Sequence, residues 1–302
     1  MIPETAEAGC PPDSNPLARP VHRVRIVEAL KQVADWPVPQ VAAAVLARGA
    51  DGSVRRVAEV GDVTARFRLA SVSKPLSAYA ALVAVEEGAF ALDDPAGPEG
   101  STVAHLLAHA SGLAFSGTGV LARPGTRRIY SNTGFEELGR ALEAATGIGF
   151  APYLDEAVFA PLRMTSSVLE SSPAYGIWST VDDVAAFAAE LLSPALLAAE
   201  TFATATAVAF PGLDGVLPGF GMQRPNDWGL GFELRGRKTP HWTGTTSSPA
   251  TFGHFGRSGT FLWVDPVAGV ACVCLTDRDF GHWALDAWPP FSDAVLAEAR
   301  PG

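Results

Sequence analysis

Lysine is nearly missing from this 302-residue chain: Lys31, Lys74 and Lys238 stand against nineteen arginines. A sequence that uses arginine wherever a plain positive charge suffices keeps lysine where another property is wanted, and of the two only lysine readily gives up its proton. Basic charge is short overall. The net charge is −10, so no basic stripe exists to neutralise phosphates, which argues against nucleic-acid binding; the acidity reads as solubility. Cysteine is also scarce, with Cys10, Cys272 and Cys274 in all. The last two sit two apart in an apolar run and share one face of a strand. They read as small buried core residues, not as a disulfide or metal pair. Long apolar runs are absent, "AYAALVAV" falling far short of a membrane span. The opening "MIPETAEAGCPPDSNPLARP" lacks the basic flank and apolar stretch of a signal peptide. Residues 1–20 are therefore expected to form a flexible tail on a cytoplasmic protein.

What is present suits a globular enzyme-sized domain: 48% of residues are apolar and 18% charged, enough for a sizeable core. "RVRIVEALKQVADW" has helical spacing, with Val24, Val27, Leu30 and Val33 on one face. "VAAAVLAR" and "VRRVAEV" read as strands around the hairpin signal "GADGS". A helix-rich middle follows, including "SAYAALVAVEEG", "TVAHLLAHA", "GFEELGRALEAATG", "FAPYLDEAVFAPL" and "TVDDVAAFAAELL". The last opens with Ser179 and Thr180 ahead of Asp182, a helix N-terminus signal. From Trp228 onward "WGLGFELRG", "TFLWVDP" and "GVACVCLTD" are short β-like runs, and "DAVLAEAR" closes the chain as a helix. Strands near both ends around a helical middle predict an α/β (α+β) fold. Residues 21–68 plus 228–302 would form a sheet-containing domain and residues 69–227 an inserted, mainly helical one, with a ligand groove at their junction.

The stretch "FRLASVSKPL" holds Ser71 and Lys74. A serine hydroxyl is a poor nucleophile unless a neighbouring base assists it. Lysine serves as that base once desolvation or a nearby cation lowers its pKa. Three residues apart on a helix the two side chains share a face. Pro75 is tolerated near the start of a helix and not in its middle, so the helix should begin close to Ser71, where the dipole favours developing negative charge. Taken alone, S-x-x-K also fits a helix cap followed by a solvent-facing lysine. Two further stretches accompany it: "RRIYSNTGFEELG", with Tyr130 and Asn132, and "TFGHFGRSGTFLWVDPVAGVACVCLTD", with His254 and Gly256.

With S-x-x-K, Y-x-N and H-x-G in this order, the sequence resembles the serine β-lactamase and D,D-peptidase superfamily, nearest the class C-like branch that also holds family VIII esterases. "HLLAHASGL", "GIWSTVDDVAAFA" and "GHFG…VDP…LTD" extend the resemblance over most of the chain from about residue 22. It implies a β-lactamase/transpeptidase-like fold, a mainly antiparallel sheet flanked by terminal helices with a helical region inserted. It further implies that Ser71 is the acylated nucleophile, with Lys74 and Tyr130 as a coupled proton-transfer pair. Asn132, His254, Phe255 and Gly256 would border the substrate, and the backbone N–H groups of Ser71 and Arg257 would form the oxyanion hole.

One departure shapes the functional expectation. Where the family often has Lys-Thr-Gly, this chain has His254-Phe255-Gly256, without the ammonium and hydroxyl that hold a substrate carboxylate; Arg257 is the candidate replacement. A serine hydrolase acting on a small, neutral ester or amide is therefore expected, with no cofactor and no metal. The other readings are a β-lactamase or D,D-peptidase, a transacylase using the same residues, or a non-catalytic penicillin-binding-like module. His105 and His109 have the spacing of two zinc ligands on a helix, but the glutamate of H-E-x-x-H and a third ligand are missing, so a structural role is expected. No serine has the flanking glycines of the G-x-S-x-G elbow.

Overall fold

The computed structural model describes residues 27–299. The expected tail, Cys10 and Val24 lie outside the described residues. The chain opens with α1 (Val27–Lys31) and a 3₁₀ turn, then the hairpin β1 (Val41–Arg48) and β2 (Val54–Val60). Short β3 (Phe67–Arg68) leads through a 3₁₀ turn, Ala70–Val72, into α2 (Ser73–Glu86). Next come α3 (Val103–Leu107), α4 (Asn132–Thr146) and α5 (Phe150–Leu154), the last running on as a π-helical turn. Strands β4 (Val168–Leu169) and β5 (Ile177–Ser179) precede α6 (Val181–Leu192) and α7 (Ala199–Thr206). The remainder is β6 (Gly215–Leu217), β7 (Gly221–Gln223), β8 (Glu233–Leu234), β9 (Phe252–Gly256), β10 (Thr260–Asp265), β11 (Val270–Thr276) and α8 (His282–Ala299).

Six strands form one antiparallel sheet in the order β2-β1-β11-β10-β9-β8, so strands from both ends of the chain meet at β1 and β11. Both faces are covered, which is why β10 and β11 read as unbroken apolar runs. On one face Ala42, Ala44, Leu262, Val264, Ala271 and Val273 join a core with α2 and α6. On the other, Ala43, Val45, Phe261, Trp263, Cys272 and Cys274 meet α1 and α8 through Leu30, Trp288, Phe291 and Val295. Cys272 and Cys274 are thus free thiols sharing one buried face, as their spacing indicates.

Helix α2 is buried on nearly all sides, from Ser73 to Leu82, as befits a helix without a polar stripe. Its polar side chains are matched: the Ser73 hydroxyl accepts from the Ile177 N–H, Ser77 donates to the Pro173 carbonyl, and Tyr79 donates to Glu190 at 2.6 Å. Helix α6 is capped by Thr180, whose side chain accepts from the Asp183 N–H.

Three elements differ from their sequence reading. "TVAHLLAHA" is helical only to Leu107, and His109 follows with φ +54°, so the two histidines do not share a helix face. Of "WGLGFELRG" only β8 is strand, since Gly231 turns with φ +87° where a Cβ would lie 2.1 Å from that of Ala78 on α2. The closing helix begins eleven residues before "DAVLAEAR" and runs through Pro289 and Pro290; burial of Trp288 and Phe291 against the sheet outweighs the local break.

Arg128 ties the segment before Tyr130 to its surroundings. Its guanidinium is 2% exposed and donates to the carbonyls of Ala108, Ala209, Phe210 and Asn226 at 2.5–3.1 Å. Burial lowers its pKa to about 10, which keeps it charged at neutral pH. Arg128→Met should strip two buried and two half-buried carbonyls of their donor at a cost of about 3–5 kcal/mol, and calorimetry should record a melting point lower by roughly 10 °C.

Candidate active site

Ser71 lies in the 3₁₀ turn ahead of α2, and Lys74 in the first turn of that helix. The turn is entered through Ala70 at φ +48°, a left-handed conformation that costs a non-glycine residue about 1 kcal/mol. Two contacts brace it from the sheet. Thr260 Oγ1 donates to the Leu69 carbonyl at 2.8 Å. At Gly256 an added Cβ would come 2.4 Å from both Leu69 O and Thr260 Oγ1, so this position requires glycine for the strand to approach the serine turn.

Lys74 is fully buried. Its Nζ lies 3.3 Å from Ser71 Oγ, 2.7 Å from Asn132 Oδ1 and 2.9 Å from the Ala174 carbonyl. None of these partners is charged. Desolvation therefore holds the ammonium well below its ordinary pKa of 10.5, with only a partial counter-effect from Glu136. As a free amine, Lys74 has two N–H bonds for the Asn132 and Ala174 oxygens, leaving its lone pair toward the Ser71 hydroxyl. Asn132 is positioned as the first residue of α4, whose N-cap Ser131 accepts from the Gly134 N–H at 2.9 Å.

The Tyr130 ring lies 4.7 Å below the Lys74 Nζ. Burial pushes its phenol well above the usual value, and a hydrogen bond with Ser71 partly offsets this. The Tyr130 hydroxyl is also 3.5 Å from His254 Nε2. His254 Nδ1 is 2.6 Å from the Phe255 carbonyl, which can only accept. The proton therefore sits on Nδ1, and Nε2 offers a lone pair to Tyr130. Burial lowers the His254 pKa to about 3, so the ring is neutral at physiological pH.

His254 and Phe255 point to opposite faces of β9. Phe255 packs among Trp242, Phe280 and Trp288 while also bordering the site. The Arg257 side chain is exposed and faces Asp279 at 3.6 Å.

Ser71 opens on two adjoining hollows. One, of about 370 Å³, is lined by Tyr130, Leu217, Trp228, Glu233, His254, Phe255 and Phe280. The other, of about 410 Å³, is polar and bordered by Arg68, Asn132, Tyr175 and Ser258. Phe115, Arg257 and Asp279 border both. Ser71, Lys74, Tyr130, Asn132, His254 and Gly256 are thus brought together.

Sequence reasoning missed Ala174, Trp228, Phe115 and Glu233. It also missed His109, whose Nδ1 accepts from the Ser131 N–H at 3.1 Å and whose ring lies 4.6 Å from that of Tyr130. The spacing signal at "HLLAH" singled out His109 and gave it a structural role, but could not show that its ring lies beside Tyr130. Glu233 anchors the wall: burial pushes its carboxyl up, but His241 and Lys238 outweigh it and hold the pKa at about 2. Its oxygens accept from Lys238, from Trp242 Nε1 at 2.9 Å, and are 2.8 Å from His241 Nε2.

The buried Lys74 leaves a signature in stability. Unfolded, a lysine keeps its proton up to about pH 10.5; folded, this one loses it well below. Between those values the unfolded state binds more protons, so wild-type stability rises with pH, by at most about 1.4 kcal/mol per unit. Lys74→Met lacks this dependence. Urea melts at pH 7 and pH 10 should show wild type gaining stability relative to the variant at the higher pH, and a constant difference would contradict a depressed lysine.

Comparison with known proteins bears on the family and the fold. The β-lactamase family model matches residues 38–296. A crystal structure of a β-lactamase from Mycobacterium bovis is 57% identical and superposes with a TM-score of 0.87, covering 90% of this chain and all of that one. Simvastatin synthase from Aspergillus terreus shares the fold at 19% identity, with a TM-score of 0.72 over 90% of this chain and 97% of its own. A penicillin-binding protein of Bacillus subtilis is 28% identical over 134 residues, 33% of this chain and 30% of that protein. The chain spans less than half the length of the curated relatives it matches. With the family model spanning most of its length, the chain belongs to the β-lactamase family.

Proposed function

We propose that this protein is a serine hydrolase that forms an acyl-enzyme on Ser71 and acts on small esters with a neutral, apolar acyl group. The carrying observation is the desolvated Lys74 amine beside Ser71, without a carboxylate partner, at the edge of an aromatic-walled hollow. Lys74 takes the Ser71 proton as Oγ attacks the ester carbonyl. Tyr130, between Ser71 and His254, relays a proton to the departing alkoxide, and neutral His254 accepts from the phenol. The backbone N–H groups of Ser71 and Arg257 stabilise the tetrahedral oxygen, a contribution of about 3 kcal/mol per donor. Water then releases the acid by the reverse sequence.

The preference for a neutral acyl group rests on the wall. His254 carries no charge, Phe255 supplies no hydroxyl, and the Arg257 charge is offset by Asp279. A second reading, β-lactam hydrolysis, is supported by the 57% identity to the M. bovis β-lactamase. Nitrocefin turnover exceeding that of p-nitrophenyl butyrate would favour it over the ester reading.

With p-nitrophenyl butyrate, Ser71→Ala should abolish turnover while leaving the melting point near wild type. Retained turnover would place the nucleophile elsewhere. Lys74→Arg should be nearly as inactive as Lys74→Ala, since a permanent cation cannot accept the serine proton. Tyr130→Phe should lower kcat by about 10²–10⁴-fold, the range for a lost proton transfer; a near-normal kcat would remove Tyr130 from the mechanism.

A further inference from the structure

The backbone N–H groups on either side of Tyr130 end on one residue. The Ile129 N–H donates to the His109 carbonyl at 2.9 Å, and the Ser131 N–H donates to His109 Nδ1 at 3.1 Å. His109 therefore grips the chain before and after the phenol-bearing residue, once through its backbone and once through its ring. That ring is 1% exposed and packs against Tyr130, against Trp228 at 4.7 Å and against Phe135 at 5.3 Å. Because Nδ1 accepts, the ring proton sits on Nε2. Nε2 is buried and has no hydrogen-bond partner among the described residues. Burial holds the pKa of the ring well below the ordinary 6.5, which keeps Nδ1 free to accept at neutral pH. The backbone takes φ +54° here, a conformation uncommon outside glycine and better tolerated by asparagine and histidine than by most residues. Packing alone does not account for an imidazole at this position. An apolar side chain would fill the space without leaving a buried nitrogen unmatched.

We infer that His109 is a positioning residue for the reaction, its Nδ1 fixing the Ser131 amide and thereby holding the Tyr130 phenol between Ser71 and His254. This rests on the acyl-enzyme reading and adds to it a residue that lines neither hollow. Asn132 is anchored separately, since its own N–H donates to the Phe115 carbonyl at 2.9 Å and Ser131 Oγ caps its helix. The contribution of His109 accordingly falls on proton transfer through Tyr130.

Two substitutions separate the acceptor from the ring. In His109→Asn, Oδ1 takes the place of Nδ1 on Cγ and a positive φ is still tolerated; in His109→Phe the ring stays and the acceptor is lost. With p-nitrophenyl butyrate, His109→Phe should lower kcat by about 10–100-fold, the scale of a misplaced catalytic group. Its KM should stay within about twofold, and His109→Asn should keep kcat within about threefold of wild type. In the Tyr130→Phe background, His109→Phe should cost less than about twofold more, because the group it positions is gone. Ring packing as the sole role requires the opposite: an active phenylalanine variant, an impaired asparagine variant, and the same loss with or without the Tyr130 hydroxyl. Any of these three results would overturn the inference. Circular dichroism melts check that each variant is folded, and His109→Leu replaces His109→Phe in the same comparison if the latter is not. Absence of Ser71-dependent p-nitrophenolate release by wild type would instead overturn the acyl-enzyme reading.

Discussion

Burying an amine without a negative charge beside it is costly, and much of the architecture around the site serves that one constraint. Lys74 is closed off from water, and its hydrogen-bond partners are a hydroxyl, an amide oxygen and a backbone carbonyl. In so dry and neutral a setting the charged form is disfavoured, and the pKa falls well below its ordinary value. The three oxygens come from Ser71, Asn132 and Ala174, so the amine is correctly held only when α2, α4 and the loop before β5 have all closed around it. The all-round burial of α2 follows from the same need.

The other buried lysine shows what this arrangement avoids. Lys238 is also almost fully buried, but it donates directly to the Glu233 carboxylate. There the ion pair satisfies both charges and fastens Trp242 and His241 around it. Burial lowers the pKa of both lysines, but at Lys238 a directly paired carboxylate counteracts the desolvation, whereas no carboxylate touches Lys74 and its pKa falls well below the ordinary value. Glu233 also lines the hollow beside Trp228 and His254, so the structural pair helps fix its wall.

That wall is aromatic where an ammonium and a hydroxyl would grip a carboxylate. Phe255 turns toward α8 because alternation along β9 sends His254 to the site and Phe255 to the opposite core. Gly256, next along, keeps the strand against the serine turn. Three successive residues therefore do three tasks: one faces the phenol, one packs the core and one permits the approach. On the far side of Ser71 the lining turns polar, so the two ends of a bound ester meet different surroundings.

Much of this was legible locally. S-x-x-K, Y-x-N and the H-x-G strand each lie within a few residues, and the hairpin β1–β2, the strands β10 and β11 and the helices α2, α4 and α6 follow from periodicity and capping. Local reading failed where burial overrode it: the continuation of α8 through two prolines, the end of α3 before His109, and the left-handed turns at Ala70 and Gly231. Arg68, Phe115, Ala174 and Trp228 carry no motif of their own and become neighbours of Ser71 only through space. By itself the sequence determined which side chains of unusual chemistry exist and which sit one helical turn or one strand step apart, because those relations are set by backbone geometry alone. Which buried lysine is left without a carboxylate partner and which face His254 takes were decided by the tertiary structure, because desolvation and pairing depend on groups brought from distant parts of the chain.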